Sequence, residues 1–254
     1  MGISAEISLI VNILLATVRL SALLLLSPLF SIAQVPTKIK AIWILAIAFA
    51  LISGLHTNHD FIPTTTGELL IAVTHEALIG ALLAFGVFTA FATFLVGGRL
   101  LDFQMGFGVA SLIDPATRSH NPLLGTVLSL TAVAVFFAIN GHHMLLKGLA
   151  YSFEHLPIGG GVSGIEIENL IIQFGLMFTY GLAVVAPAVM TLLLIDIGMA
   201  VAARTMPQVN MFIVGFPIKI FTGLVVLALS INYLTPLLER VFGSIFRYWE
   251  TVVE

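Results

Sequence analysis

NLIIQFGLMFTYGLAVVAPAVMTLLLI, residues 169–195, runs for 27 residues without an Asp, Glu, Lys or Arg. A helix rises about 1.5 Å per residue, so roughly 20 residues cross the ~30 Å hydrocarbon core of a bilayer. A buried strand is the competing reading of an apolar run, but strands are short, and a long stretch rich in Ala and Leu favours helix. Working outward, further charge-free runs cover 7–18, 20–37, 41–59 (apolar over 41–55), 77–98, 119–146 and 220–238. The 22 residues of 77–98 are also long enough to span. The runs near 7–27 and 41–55 are marginal, the first interrupted by Arg19 and the second short. The pattern predicts an all-α integral membrane protein with about six hydrophobic helices, some broken by Pro or Gly.

Composition agrees. Hydrophobic residues make up 59% and charged residues 9% of the 254 positions, against about 45–50% and 25% in soluble domains. Ten Lys+Arg and 13 Asp+Glu are too few to cover a soluble surface of this size. The chain is therefore a membrane protein or a subunit buried among apolar partners. A net charge of −3 offers no basic footprint for nucleic acid. High apolar content with low net charge excludes disorder. Without cysteine there is no disulfide, thiolate nucleophile or thiolate metal site.

No repeat, low-complexity tail or Ser/Gly linker divides the sequence, which predicts one domain over 1–254. Met1–Ser8 carries Glu6 and no basic residue, unlike a cleaved signal peptide, and is expected to be retained. With six spanning helices, Lys38, Lys40, Arg99, Arg118, Arg204 and Lys219 fall in loops on one side. Lys147, Arg240 and Arg247 fall on the other. The positive-inside rule then puts the first set in the cytoplasm and both termini outside. Gly80 with Ala84, and Gly86 with Ala90, let helix backbones approach closely, within the chain or against another subunit. Pro187 lies deep in 169–195 and predicts a kink; Pro207, Pro217 and Pro236 punctuate the last third.

Two connecting stretches do not look like connections. Gly97–Gly125, GGRLLDFQMGFGVASLIDPATRSHNPLLG, is half apolar. Gly106 and Gly108 flank Phe107 and loosen the backbone, and Asp114-Pro115 enforces an extended or turn geometry. Such a segment predicts a long re-entrant-like loop or an interfacial turn. Ala203–Ile220, ARTMPQVNMFIVGFPIKI, places Pro207, Gln208 and Asn210 before Gly215-Phe216-Pro217 and Lys219. Gln208 and Asn210 are expected as buried amides that find partners by cross-linking helices or pinning a turn, and Lys219 can reach an interface along its apolar stem.

MGFGVASLIDP and PQVNMFIVGFPIKI resemble the signatures of the flagellar biosynthesis protein FliR family, whose relatives include export-gate subunits of virulence type III secretion. The likeness covers essentially the whole chain. It implies a FliP-like portion over about 1–165 and a FliQ-like helical hairpin over about 166–254. It also implies assembly with FliP and FliQ, alongside FlhB and FlhA, into the gate through which unfolded flagellar subunits cross the bacterial inner membrane at the basal body. In that family the helices sit largely raised out of the bilayer, so the predicted spans would be helices without being spans. The segment aligned with Gly106–Pro122 acts there as a plug. The resemblance thus assigns Met105, Phe107, Leu112 and Ile113 to an apolar seal, with Gly106, Gly108, Val109, Ala110, Ser111, Asp114 and Pro115 in the same gating segment. Pro207, Gln208, Asn210, Gly215, Phe216, Pro217 and Lys219 form the subunit-packing motif.

Catalytic patterns are missing. No Gly-Lys pair exists, so there is no phosphate-binding G-x-x-x-x-G-K-[ST]. His75-Glu76 begins H-E-x-x-H, but no His closes it. His142 and His143 are adjacent and diverge on a helix, a poor metal pair. Gly159-Gly160-Gly161 reads as a turn. No cofactor or metal is expected, and no enzyme. Arg19, Glu76, Asp102 and Asp196 lie in apolar surroundings, which marks them as transport sites or as polar contacts holding subunits together. Glu76 also suits the start of a helix over 77–98. A secondary transporter using these charges is the alternative function, although the paired broken repeats of such proteins are missing. A membrane hydrolase built on Ser111 or His75 is a third.

Overall fold

The computed structural model describes residues 2–28, 36–54, 61–107, 122–161, 166–208 and 210–253. Among them are eight α-helices and no strand: α1 Gly2–Leu26, α2 Thr37–Gly54, α3 Thr66–Met105, α4 Leu123–Ala138, α5 Gly141–His155, α6 Ile167–Thr205, α7 Met211–Leu229 and α8 Ile231–Val253. Among the described residues the charge-free runs lie mostly in helices, but helix ends are set by capping and packing rather than by charge. The Thr64 backbone N–H and hydroxyl donate to the Glu68 carboxylate (2.7 and 2.9 Å), and the Glu68 N–H donates to Thr65 Oγ1 (3.2 Å). This capping box starts α3 eleven residues before the run 77–98. Glu76 is therefore mid-helix rather than at a helix start. Likewise α1 passes Arg19 unbroken, and α6 passes Pro187 without losing its helical course.

Four helices are long and apolar enough to cross a membrane by length and composition: Glu6–Leu26, Thr37–Gly54, Thr66–Met105 and Ile167–Thr205. Counting two bent pairs raises the number to six. From Leu123 on, the run 119–146 falls in such a pair, α4 and α5, turned by 72° at a break where Asn140 adopts left-handed φ 59. Asn tolerates that region better than other non-glycine residues. The other pair is α7 and α8, breaking at Ser230, whose hydroxyl and N–H both donate to the Val226 carbonyl (2.7 and 3.0 Å).

Both apparent loops shrink. Residues 97–105 continue α3 and α4 opens at Leu123, while 108–121 lie outside the described residues. The described residues of Ala203–Ile220 are helical except for 206–208 and 210, and Pro217 sits inside α7. Arg99, Lys147, Lys219, Arg240 and Arg247 stand within helices, so the loop count of basic residues no longer fixes an orientation.

The contacts gather into two compact units. The first comprises 1–89, 136–173 and 243–254. It contains α1, α2, α5, the first part of α3 and the end of α8, around Leu15, Leu20, Ile79, Leu83, Leu149 and Ile245. Its helices touch through glycine: a Cβ on Gly80 would lie 2.3 Å from the Arg19 carbonyl, and one on Gly86 2.6 Å from the Tyr248 ring. The Trp249 indole N–H donates to the Leu83 carbonyl (2.9 Å), tying α8 to α3. The small residues of α3 thus serve packing within the chain here. The second unit comprises 90–135 and 174–242, around Phe91, Phe94, Leu101, Val185, Leu192 and Phe242. In it the backbones of α3 and α4 meet where a Cβ on Gly98 would lie 2.2 Å from Gly125 Cα.

Candidate functional site

Among the described residues the buried charges all find partners, and the two motif segments meet.

In the first unit, Arg19 on α1 and Glu76 on α3 are both fully buried. Arg19 Nε donates to Glu76 Oε2 (2.6 Å) and Nη2 to Oε1 (3.2 Å), a two-pronged pair. Nη1 donates to the Ser152 carbonyl (3.0 Å) and hydroxyl (3.3 Å), and Nη2 also to the Leu156 carbonyl (3.0 Å). These contacts match the five N–H donors of a guanidinium. The Phe153 ring lies 4.3 Å from the guanidinium carbon, and the Gly159 N–H donates to Glu76 Oε1 (3.2 Å). Gly159 holds φ 78, so a residue with a side chain would be strained in aiming that N–H. The glycine run 159–161 is the expected turn, and it closes a polar knot joining α1, α3 and the end of α5.

In the second unit, Asp102 is 6% exposed on α3. Its carboxylate accepts from the Leu124 N–H (3.0 and 3.2 Å) and the Gly125 N–H (3.4 Å), capping the first turn of α4 from outside that helix. A helix N-terminus presents free N–H groups and a positive dipole end, which a carboxylate satisfies. Asp102→Ala is expected to cost about 1–2 kcal/mol, read as a lower Tm in detergent. Asp102→Asn, which keeps an acceptor, should lose less. Asp196 on α6 pairs with Lys219 on α7. These charges therefore tie helices together inside the chain.

The motif residues lie as follows. Met105 ends α3 fully buried, and a Cβ on Gly223 of α7 would lie 2.1 Å from its methyl carbon. Gly106 follows with φ 84, its Cα so close to Phe216 that a Cβ would sit 1.8 Å from the ring. Phe107 is half-buried, and Gly108, Val109, Ala110, Ser111, Leu112, Ile113, Asp114 and Pro115 lie outside the described residues. Gly215 is buried against Met199, where a Cβ would approach the sulfur to 2.6 Å. Gln208 and Asn210 are exposed in the turn between α6 and α7, contrary to the buried amides expected of them. Asn210 instead opens α7, its carbonyl accepting from the Ile213 N–H (3.1 Å). The two motifs thus meet at Gly106 and Phe216.

Sequence reasoning singled out Arg19 and Glu76 without pairing them, and missed Ser152, Phe153, Leu156 and Gly159. Two of these act through backbone carbonyls, which leave no sequence signal; the glycine run was the one available hint. Among the described residues no group of three or more His, Cys, Asp and Glu gathers.

A family model described as "Bacterial export proteins, family 1" matches residues 10–245. The flagellar biosynthetic protein FliR of Bacillus subtilis (strain 168) is 31% identical over 236 residues, covering 91% of this chain and 90% of the relative. FliR of Escherichia coli (strain K12) is 29% identical, covering 92% and 90%. The Yop proteins translocation protein T of Yersinia pestis is 26% identical over 165 residues, covering 64% and 63%.

Proposed function

The chain belongs to the bacterial export proteins of family 1, and from that membership we propose that it is a core subunit of the flagellar type III export gate. In this reading it forms, with FliP-like and FliQ-like subunits, the channel through which unfolded flagellar proteins cross the inner membrane, alongside FlhA and FlhB. Its own role is to conduct and to gate rather than to catalyse.

One observation carries the assembly. Along α6, Ile167, Ile171, Phe174, Phe178, Leu182, Met190, Leu194, Ile197 and Val201 are exposed, each about half or more. They recur at helical spacing on two faces: those of 167–182 share one, and those of 190–201 share another about 130° further round the helix. From Ile167 to Val201 this apolar surface extends about 51 Å along the helix. Fitting it into a ~30 Å hydrocarbon core needs a tilt of roughly 54°, beyond the usual range of up to about 40°. Part of this surface therefore calls for protein neighbours, as in a gate whose helices stand outside the bilayer. The portions 1–165 and 166–254, FliP-like and FliQ-like, would supply matching contact surfaces.

The gating element in this reading is the segment from Gly106 to Pro122. Met105 anchors its root, Phe107, Leu112 and Ile113 seal the lumen, and Gly106 and Gly108 allow it to swing aside. The test is native mass of the tagged chain co-expressed with FliP-like and FliQ-like proteins from its source. A defined complex far above 27.2 kDa containing both is expected. A chain that stays alone, or forms only homo-oligomers, refutes the assignment.

A further inference from the structure

Between α5 and α8, within the first unit, lies a groove of about 360 Å³. That volume is within the range of small-molecule sites. Its floor is apolar for a stated reason. Gly148 has no side chain, which admits the Trp249 ring so closely that a Cβ on Gly148 would lie 2.5 Å from it. The Trp249 indole N–H is engaged with Leu83, so the ring plane is fixed as a wall. Phe246 stands edge-on to Trp249 (centroids 5.8 Å apart), and Tyr151 lines the other side. Two charges sit at the groove, one of each sign: Lys147 on α5 and Glu250 on α8. Both are exposed, and neither joins an ion pair among the described residues.

The elements that build the groove place it at a boundary. α8 buries Phe242, Ile245, Trp249 and Val252 while exposing Glu239, Arg240, Arg247 and Glu250, so its outer face belongs in water or among headgroups. Each of α5 and α8 follows directly on a strongly apolar helix. Trp and Tyr flanking such a transition are the usual lining of the headgroup layer.

We propose that this groove binds a phosphatidylethanolamine molecule, its phosphate on Lys147, its ammonium on Glu250 and the start of an acyl chain against Trp249 and Phe246. The argument is charge complementarity. An apolar floor with one unpaired cation and one unpaired anion fits a ligand with a short zwitterionic head and an apolar tail. A purely anionic lipid satisfies Lys147 but leaves Glu250 repelled. A choline headgroup carries the right charge but has no N–H to donate.

The test uses the full-length chain in detergent, equilibrated with equal amounts of phosphatidylethanolamine, phosphatidylglycerol and phosphatidylcholine bearing identical acyl chains. Native mass spectrometry counts the retained lipid. The wild type is expected to hold phosphatidylethanolamine about five- to tenfold over phosphatidylglycerol, the value of one ordinary net hydrogen bond at an exposed site. Glu250→Gln should erase that preference while total lipid stays level, and Lys147→Gln should lower retention of all three. Both side chains are exposed, so the helical circular dichroism of each variant should match the wild type. Equal retention of the three lipids by the wild type, or variants indistinguishable from it, overturns the proposal. So does a groove that takes no lipid but loses a co-purifying protein chain in the same variants. The outcome is independent of whether the chain builds an export gate.

Discussion

Replacing Arg19 with methionine is expected to destabilise the protein by about 3–5 kcal/mol, because it leaves the Glu76 carboxylate buried without its counter-charge. Against the roughly 5–15 kcal/mol that holds a domain folded, the loss should abolish accumulation of folded chain in membranes. The Ser152 and Leu156 carbonyls lose their donor in the same step. The double variant Arg19→Met with Glu76→Leu removes both charges and should regain most of the loss, since apolar replacement of a buried pair is often neutral or better. Thermal unfolding in detergent measures both. A single variant as stable as the wild type would show that the knot contributes little. A double variant no better than the single would show that shape, rather than charge, is what the site needs. A transporter reading of Arg19 and Glu76 predicts something different: stable variants that have lost solute coupling.

The second large effect is expected at Gly106. Valine there meets two obstacles at once. A φ of 84 is nearly closed to a β-branched residue, and the new Cβ would overlap the Phe216 ring. Gly106→Val should therefore lift position 106, where the proposed gating segment begins, off α7. In cells producing the assembled gate, the expected result is potassium efflux across the inner membrane, approaching that of a deletion of residues 106–112. Adding Phe216→Ala relieves the overlap but not the backbone strain, so it should restore tightness only in part. A deletion strain with a tight membrane sinks the plug. A leaking deletion beside a tight Gly106→Val variant would place the seat elsewhere than on Phe216.

The helices were legible because a run without charge leaves few alternatives, and the described parts of these runs are mostly helical. Their limits were not. Arg99 and Asp102 look like the start of a loop, yet α3 runs on to Met105. What permits this is distant in sequence: the Asp102 carboxylate is satisfied by amides of Leu124 and Gly125. Glu76 misled in the same way, as its partner Arg19 stands 57 positions away. The bends at Asn140 and Ser230 were equally hidden, for neither residue is a breaker as Pro is, and the prolines at 187, 217 and 236 all lie within helices. Of the candidate site, the residue types were readable and their pairings were not. Periodicity reports which face is apolar, whereas hydrogen bonds to backbone carbonyls and amides depend on tertiary placement alone.

The long apolar surface of α6 also bears on how much of this protein a cell can keep. A chain made in excess of its neighbours carries greasy surface that lipid tails cannot fully cover, and such surface invites aggregation or capture by quality-control proteases. Overproducing the chain by itself should then add little folded protein, because its steady-state amount follows the scarcest neighbour rather than its own rate of synthesis.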